Sequence, residues 1–299
     1  MFVRKLITAG SVIVALLAAL PAHAQRNIIH EERSQYRDVL VTEFNNQRCM
    51  LFNIRRGDMN QTCIDLRDPK RLVFSYTRMS FVGLLFNPEP ERILVAGLGG
   101  GTIPSVLHEL YPRAEIDVLE VDPAVVRVAE RFFNFQQDER MTVHTVDARV
   151  FIKRAGLRNQ TYDYIVLDAF SGEYVPEHLL TREFLQEVAD ILTDDGVLIA
   201  NTFASSGLYD HESVTYQAVF GRFYALREAG SGNRILVAGK REWQPAAELV
   251  SPARRLQPSL QPYGFNILEY PARLTDAVDW DTSARVLTDQ YSPANLLRN

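Results

Sequence analysis

Four short strand-like runs of this chain end in residues that can do chemistry. Ile93 to Ala96 runs into Gly97-Leu98-Gly99-Gly100-Gly101, and three later runs end at Glu120, Asp147 and Asp168. Glycines at a strand-to-helix turn let a ligand approach the backbone, and the N–H groups of the following helix favour an electronegative group. Gly97, Gly99 and Gly101 are therefore candidate ligand-contacting positions. The run does not complete G-x-G-x-x-G, because Thr102 takes the sixth place, and it lacks the lysine of a phosphate-binding loop. In an open α/β sheet ligands sit beyond the carboxyl ends of the strands, where the three acids would converge with the glycines. Glu120, 23 residues after Gly97, is placed to accept both hydroxyl hydrogens of a ribose, and Asp147 to accept from an adenine amino group. Together they describe a nucleoside site.

Stepping of apolar runs and helical patterns supplies the elements that would hold these groups. The pattern predicts strands at Ile93 to Ala96, Ile116 to Leu119, Thr142 to Val146, Tyr164 to Leu167 and Val197 to Ala200, the last after a turn at Asp194-Asp195-Gly196. Thr102 is expected to cap a helix with Pro104 in its first turn. Asp122 is expected to cap a helix opened by Pro123, and further helices span Thr181 to Leu192 and His211 to Phe220. This alternation predicts a doubly wound, mostly parallel sheet. Phe223 to Leu226 and Arg234 to Ala238 are joined only by a short glycine-rich turn, so they must pair antiparallel. A parallel sheet closed by an antiparallel hairpin is the seven-stranded arrangement of folds that bind adenosylmethionine-type nucleosides; a nicotinamide-binding fold would normally keep its crossovers to the end.

The first part of the chain has a different texture. Arg4 and Lys5, the apolar stretch Leu6 to Leu20 and Ala22-His23-Ala24 form the three parts of a secretory signal peptide over residues 1–24. The expected location is therefore outside the cytoplasm, in a periplasm, the alternative being a membrane anchor through an uncleaved N-terminus. The apolar stretch of 15 residues is shorter than the roughly 18 to 20 a spanning helix needs, and no later segment could span a membrane. Residues 25–87 read as a small β-rich unit: a strand at Arg37 to Phe44, two more at Met50 to Ile54 and Gln61 to Leu66, then a helical stretch, Leu72 to Leu85. Asn87-Pro88-Glu89-Pro90 separates it from the α/β unit, residues 88–299. If Arg55-Arg56-Gly57 forms the loop between the middle strands, Cys49 faces Cys63, and an exported pair of cysteines is expected to form a disulfide.

These residues resemble a known family, the polyamine aminopropyltransferases (spermidine and spermine synthases). The resemblance runs from about Ser34 to Ala238, through Ser34-Gln35-Tyr36, Phe74-Ser75-Tyr76, ILVAGLGGGT, LEVD, VDA and YIVLDAF. The tail LTDQYSP, Leu287 to Pro293, is similar to the ending of spermidine-synthase-like proteins. The resemblance implies Glu120 as the ribose ligand, Asp147 and Ala148 as adenine contacts, and Asp168 as the general base. Tyr76 and Tyr174 would line the amine pocket. The implied co-substrate is decarboxylated adenosylmethionine or adenosylmethionine, with no tightly bound cofactor. An amine would attack the carbon next to the sulfonium, and a carboxylate would accept its proton. Where the family has acids this chain has Gly100 and Ser171, and where it has Gln after the early Tyr this chain has Arg37. Nucleoside recognition is therefore expected to be kept and amine recognition rebuilt; an Arg37 near the amino-acid end would favour a carboxylate.

Composition and spacing remove other classes. With 32 Lys+Arg against 37 Asp+Glu the formal charge is -5, which argues against nucleic acid as the main partner. The histidines show no paired ligand spacing, so no metal site is expected, and Ser171 lacks a G-x-S-x-G elbow. Small molecules, a nucleoside and an amine, are the expected partners, and a homodimer is left open. The rival readings are a non-catalytic nucleoside-binding or assembly protein on the same scaffold, and a nicotinamide-dependent oxidoreductase. Thr102, Asp147 and the terminal hairpin count against the oxidoreductase.

Overall fold

The computed structural model describes residues 27–52, 59–170, 175–291 and 293. Strands β1 (Asn27–Arg33), β2 (Asp38–Phe44), β3 (Gln47–Phe52) and β4 (Met59–Asp65) form a four-stranded antiparallel sheet in chain order. β1 adds a strand to those expected; its mostly polar sequence NIIHEER carries no apolar alternation to announce it. The expected hairpin register holds from Gln47 opposite Asp65 through Cys49 opposite Cys63, and those two cysteines form a disulfide. Past Met50 and Thr62 the register slips, so that Leu51 faces Asn60 and Phe52 faces Met59, leaving Gln61 as the extra residue of a bulge. The expected turn residues Arg55, Arg56 and Gly57 lie outside the described residues.

After α1 (Ser75–Ser80) and a 3-10 turn at Phe81–Leu85, the chain enters the large sheet. Its elements are β5 (Arg92–Ala96), α2 (Thr102–Leu110), β6 (Glu115–Glu120), α3 (Pro123–Phe132), β7 (Met141–Thr145), α4 (Ala148–Leu157) and β8 (Tyr162–Leu167). There follow α5 (Arg182–Ile191), β9 (Leu192–Phe203), α6 (Tyr209–Phe220), β10 (Tyr224–Arg227), β11 (Asn233–Ala238) and α7 (Val250–Leu260). The seven strands lie in the order β10-β11-β9-β8-β5-β6-β7. From β9 to β7 all neighbours are parallel, and β11 runs antiparallel to both β9 and β10. This is the doubly wound arrangement the alternating pattern predicts, with the small antiparallel sheet as its N-terminal addition.

Two local expectations are corrected. Thr102 does not cap α2; it is the first helical residue, and the cap is Gly101 in the left-handed region at φ 77°. The turn expected at Asp194-Asp195-Gly196 is absorbed into β9, where Tyr162 pairs with Leu192 and Tyr164 already with Val197. The surplus residues bulge out, and the strand continues to Phe203. By contrast Asp122 caps α3, accepting from the Ala124 N–H at 2.9 Å, and Asp147 and Thr181 cap α4 and α5.

Both faces of the large sheet are covered, as its continuous apolar strands require. Ile93, Val95, Ile116, Tyr164, Val166 and Ile199 pack with Met79, Leu84 and Leu249 on one face. Leu94, Ala96, Ile165, Leu198 and Ala200 pack with Ile152, Leu185 and Tyr216 on the other. The small sheet shares a third core with α3, in which Val39, Val41, Met50 and Phe52 meet Val125, Val128 and Phe133. Polar anchors fix that docking: Ser34 Oγ donates to Asp122 Oδ2 at 2.6 Å, and Arg48 Nη1 to the Phe132 carbonyl at 3.0 Å.

Candidate active site

The carboxyl ends of β5, β6 and β8 and the inner edge of the small sheet enclose a cavity of about 380 Å³. Arg37, Tyr76, Gly97, Gly99, Glu120, Asp147, Ala148 and Asp168 all line it, so eight expected site residues from six separate chain segments come together. Gly101 does not reach it. A Cβ there would collide with the ring of Phe135, so this glycine serves the packing under α2. Ser171 and Tyr174 lie outside the described residues.

Each cavity glycine has its own reason. Gly97 has φ 104° and stands so close to the next strand end that a Cβ would lie 2.7 Å from the carbonyl carbon of Asp168. Gly99 also has positive φ, 53°, but a Cβ there would meet nothing within 4 Å. At Gly100, where the resembling family carries an acid, a Cβ would lie 2.6 Å from Thr62 Cγ2. The small sheet has taken that space.

Glu120 ends β6 with both oxygens on backbone donors. Oε1 accepts from the Asp122 N–H at 3.0 Å and Oε2 from the Leu98 N–H at 3.3 Å. Burial raises its pKa above the ordinary carboxylate range, and these two amides and the charge of Arg37 oppose that rise. Arg37 lies 4.3 Å from the centroid of the Phe52 ring, and its buried Nε has no hydrogen-bond partner among the described residues. Arg37 and Glu120 line the same cavity, and the Arg37 charge lowers the Glu120 pKa.

Asp147 divides its oxygens between two partners. Oδ1 accepts from the Val150 N–H at 3.0 Å, and Oδ2 lies 2.8 Å from His178 Nε2. The histidine bond holds its pKa below the usual value, against the effect of partial burial. His178 itself sits in a 3-10 turn, Glu177–Leu179, and lines the cavity. Nothing in its local sequence marked it.

Asp168 follows β8 and lines the cavity. Burial pushes its carboxyl up to about 7, and a hydrogen bond from Asn201 Nδ2 to Oδ1, at 2.8 Å, opposes the rise. Asn233 Nδ2 donates in turn to Asn201 Oδ1 at 3.0 Å, which fixes the amide so that its NH₂ faces the acid. Asn201 comes from β9 and Asn233 from β11. Both were missed, since only the strand order brings them beside β8.

The bulge at Gln61 re-aims the small sheet. Asn60, Gln61 and Thr62, the residues around the bulge, all line the cavity. Tyr76 holds the bulge, donating from its hydroxyl to the Gln61 carbonyl at 3.0 Å. Burial raises the Tyr76 pKa, and the charge of Asp168 raises it further, which keeps the phenol neutral as a donor. Among the described residues, no group of three His, Cys, Asp or Glu side chains is placed to hold a metal ion.

The chain is similar to known proteins over most of its length. It is 52% identical over 277 residues to the polyamine aminopropyltransferase of Vibrio vulnificus, covering 92% of each chain. A solved probable spermidine synthase from Corynebacterium glutamicum aligns with a TM-score of 0.65 at 19% identity, over 86% of this chain and 98% of that one. The human methyltransferase-like protein 13, solved in complex with SAH, aligns with a TM-score of 0.59 at 28% identity, over 75% of this chain and 100% of that one. These structures share the Rossmann-like methyltransferase architecture described above. The model of the spermine/spermidine synthase domain matches residues 73–228, which span α1 to the end of the hairpin strand β10 and hold Tyr76, the glycine run and all three cavity acids. With that match and the identity across nine-tenths of its length, the chain belongs to the spermine/spermidine synthase family.

Proposed function

We propose that this protein transfers an aminopropyl-type group from a sulfonium nucleoside of the decarboxylated adenosylmethionine type to an amine. The observation that carries the reading is Asp168, a carboxylate tuned by burial to about 7 and aimed by Asn201, on the same cavity as Glu120 and Asp147. The donor's ribose hydroxyls would donate to Glu120 and its adenine amino group to Asp147, beside Ala148. Gly97 and Gly99 let the nucleoside lie against the backbone. The sulfonium end then points towards Asp168. The amine nitrogen attacks the carbon next to sulfur, the carbon–sulfur bond breaks, and its electron pair leaves as the neutral thioether of methylthioadenosine. The proton lost by the new ammonium goes to Asp168.

Tyr76 lines the acceptor end in this reading, and Ser171 and Tyr174 are assigned to it by their place in the chain. The Thr62 methyl occupies the room of the family acid at Gly100. A diamine such as putrescine would therefore find fewer counter-charges for its far ammonium and be a poor acceptor. Residues 1–24 lie outside the described residues; we read them as a signal peptide and the mature protein as periplasmic, a compartment that sustains the Cys49–Cys63 disulfide. Among the described residues no helix is long and apolar enough to cross a membrane.

The test is direct. Purified protein is incubated with decarboxylated adenosylmethionine and, separately, adenosylmethionine, each with a panel of amines, and methylthioadenosine release is followed. Amine-dependent release from the decarboxylated donor is expected. Binding of methylthioadenosine without release in any pairing would favour the non-catalytic scaffold instead.

A further inference from the structure

The tail LTDQYSP is accounted for neither by the large sheet nor by the proposed chemistry. Its first residues are nevertheless built in. Leu287 is fully buried with Leu180 and Leu208. Its N–H donates to Thr215 Oγ1 at 2.9 Å, and its carbonyl accepts from the Arg182 N–H at 2.8 Å. Asp289 accepts from Thr181 Oγ1 at 2.7 Å, and its own N–H donates to Glu183 Oε2 at 3.0 Å. These bonds strap the tail across the starts of α5 and the side of α6.

The strap ends on one guanidinium. Arg149, in the first turn of α4 and nearly buried, makes a two-pronged pair with Asp289 at 2.6 and 2.7 Å and another with Glu187 at 2.8 and 2.8 Å. Its remaining bond, from Nη1 at 3.2 Å, goes to the main-chain carbonyl of His178. All five N–H directions of the fork are thus committed. From His178 the chain of contacts continues through the imidazole to Asp147 Oδ2, and both of those residues line the cavity.

We propose that Asp289 is a positioning residue for base recognition: through Arg149 it fixes the His178 turn, and His178, bonded to Oδ2, fixes the orientation of the Asp147 carboxylate towards the nucleoside base. This rests on the reading of the cavity as an adenine nucleoside site. Asp289 touches no ligand in this arrangement. A planar fork that spans two carboxylates and a carbonyl is a geometric device, and a lysine's single point charge cannot reproduce it. The consequence is specific, because the tail should tune discrimination at the purine amino group and leave the Asp168 end alone.

The experiment compares two probes by calorimetry, methylthioadenosine and methylthioinosine, which has a carbonyl in place of the adenine amino group. The wild type should prefer methylthioadenosine. Asp289→Asn should reduce that preference about tenfold, the order one misaligned charge-assisted hydrogen bond carries, mostly by weakening the adenosine compound. In turnover, the loss should fall on KM for the donor more than on kcat. If Asp289→Asn does not unfold cooperatively, Arg149→Lys, which keeps the charge without the fork, should give the same loss of preference. Unchanged preference in a folded variant overturns the proposal while leaving the functional reading standing. A wild type that binds neither probe overturns both.

Discussion

Asn201 Nδ2 donates to Asp168 Oδ1 at 2.8 Å, joining β9, the strand after the crossover helix α5, to β8, the strand that ends in the candidate base.

 The bond favours the charged carboxylate and so holds the acid below the value burial alone would impose. Asn201→Ala should therefore move the acid limb of the kcat/KM profile upward from about pH 7. A bond to a charged group is worth about 1.5 kcal/mol or more, which corresponds to a limb displaced by about one pH unit and about a tenfold loss of rate below it. An unmoved limb would show that the limb belongs to another group.

The pH dependence of the wild type follows from the same acid. Asp168 must be ionised to accept a proton, so the rate should rise as pH climbs through about 7 and level off above it. Stability runs the other way for this group. Its folded pKa lies above the ordinary carboxylate value, so the native state holds the proton more tightly, and the contribution is present at low pH and lost as pH rises through about 7. Thermal melts of wild type and Asp168→Asn across pH 5 to 8 should diverge in that sense.

The Glu120 carboxylate is tied to two backbone amides and still faces the cavity. Glu120→Gln keeps the shape and removes the charge, so methylthioadenosine affinity should fall by about 1.5 to 3 kcal/mol, roughly ten- to a hundredfold. Calorimetric titration of the folded variant checks it. An unchanged dissociation constant would return Glu120 to a strand-end role.

Two cavity glycines with positive φ should respond differently to a methyl group. Gly97→Ala drives a Cβ into the Asp168 main chain, displacing the candidate base, and should cost about 3 kcal/mol or more of stability together with most of the activity. Gly99→Ala meets open space and should cost only the left-handed backbone penalty, about 1 to 2 kcal/mol. Chemical denaturation of the two variants measures the difference.

The Cys49–Cys63 bridge closes a loop with a sequence separation of 14. In the chain-entropy model a loop of about 15 residues is worth roughly 3 kcal/mol, so a Cys49→Ser, Cys63→Ser double variant should melt well below the oxidised wild type. Reductant should lower the wild-type melting temperature towards that of the variant, and a melting temperature indifferent to reductant would contradict the account.

The fold was legible wherever local pattern decides it. Strand-like runs closed by Glu120, Asp147 and Asp168 located three strand ends, and the short glycine-rich turn before Asn233 required an antiparallel hairpin. The pairing of Cys49 with Cys63 followed from hairpin arithmetic, and the slip at Gln61 did not, because a bulge depends on what packs against the strand. Asn201, Asn233 and His178 stayed hidden for a related reason. Their value comes from the side-by-side placement of β8, β9 and β11 and from a turn docked on α4, which no local spacing encodes. Gly101 was assigned to the ligand from its motif, whereas the ring of Phe135 explains it.

Replacing Asp168 with Asn tests the central claim most directly, because the amide can accept a hydrogen bond but cannot take the proton from an attacking amine. With decarboxylated adenosylmethionine and the best amine acceptor, Asp168→Asn should lose roughly a hundred- to ten-thousand-fold in turnover, while its methylthioadenosine dissociation constant stays within about threefold of wild type. Turnover within about tenfold of wild type, with the fold intact, would contradict Asp168 as the base.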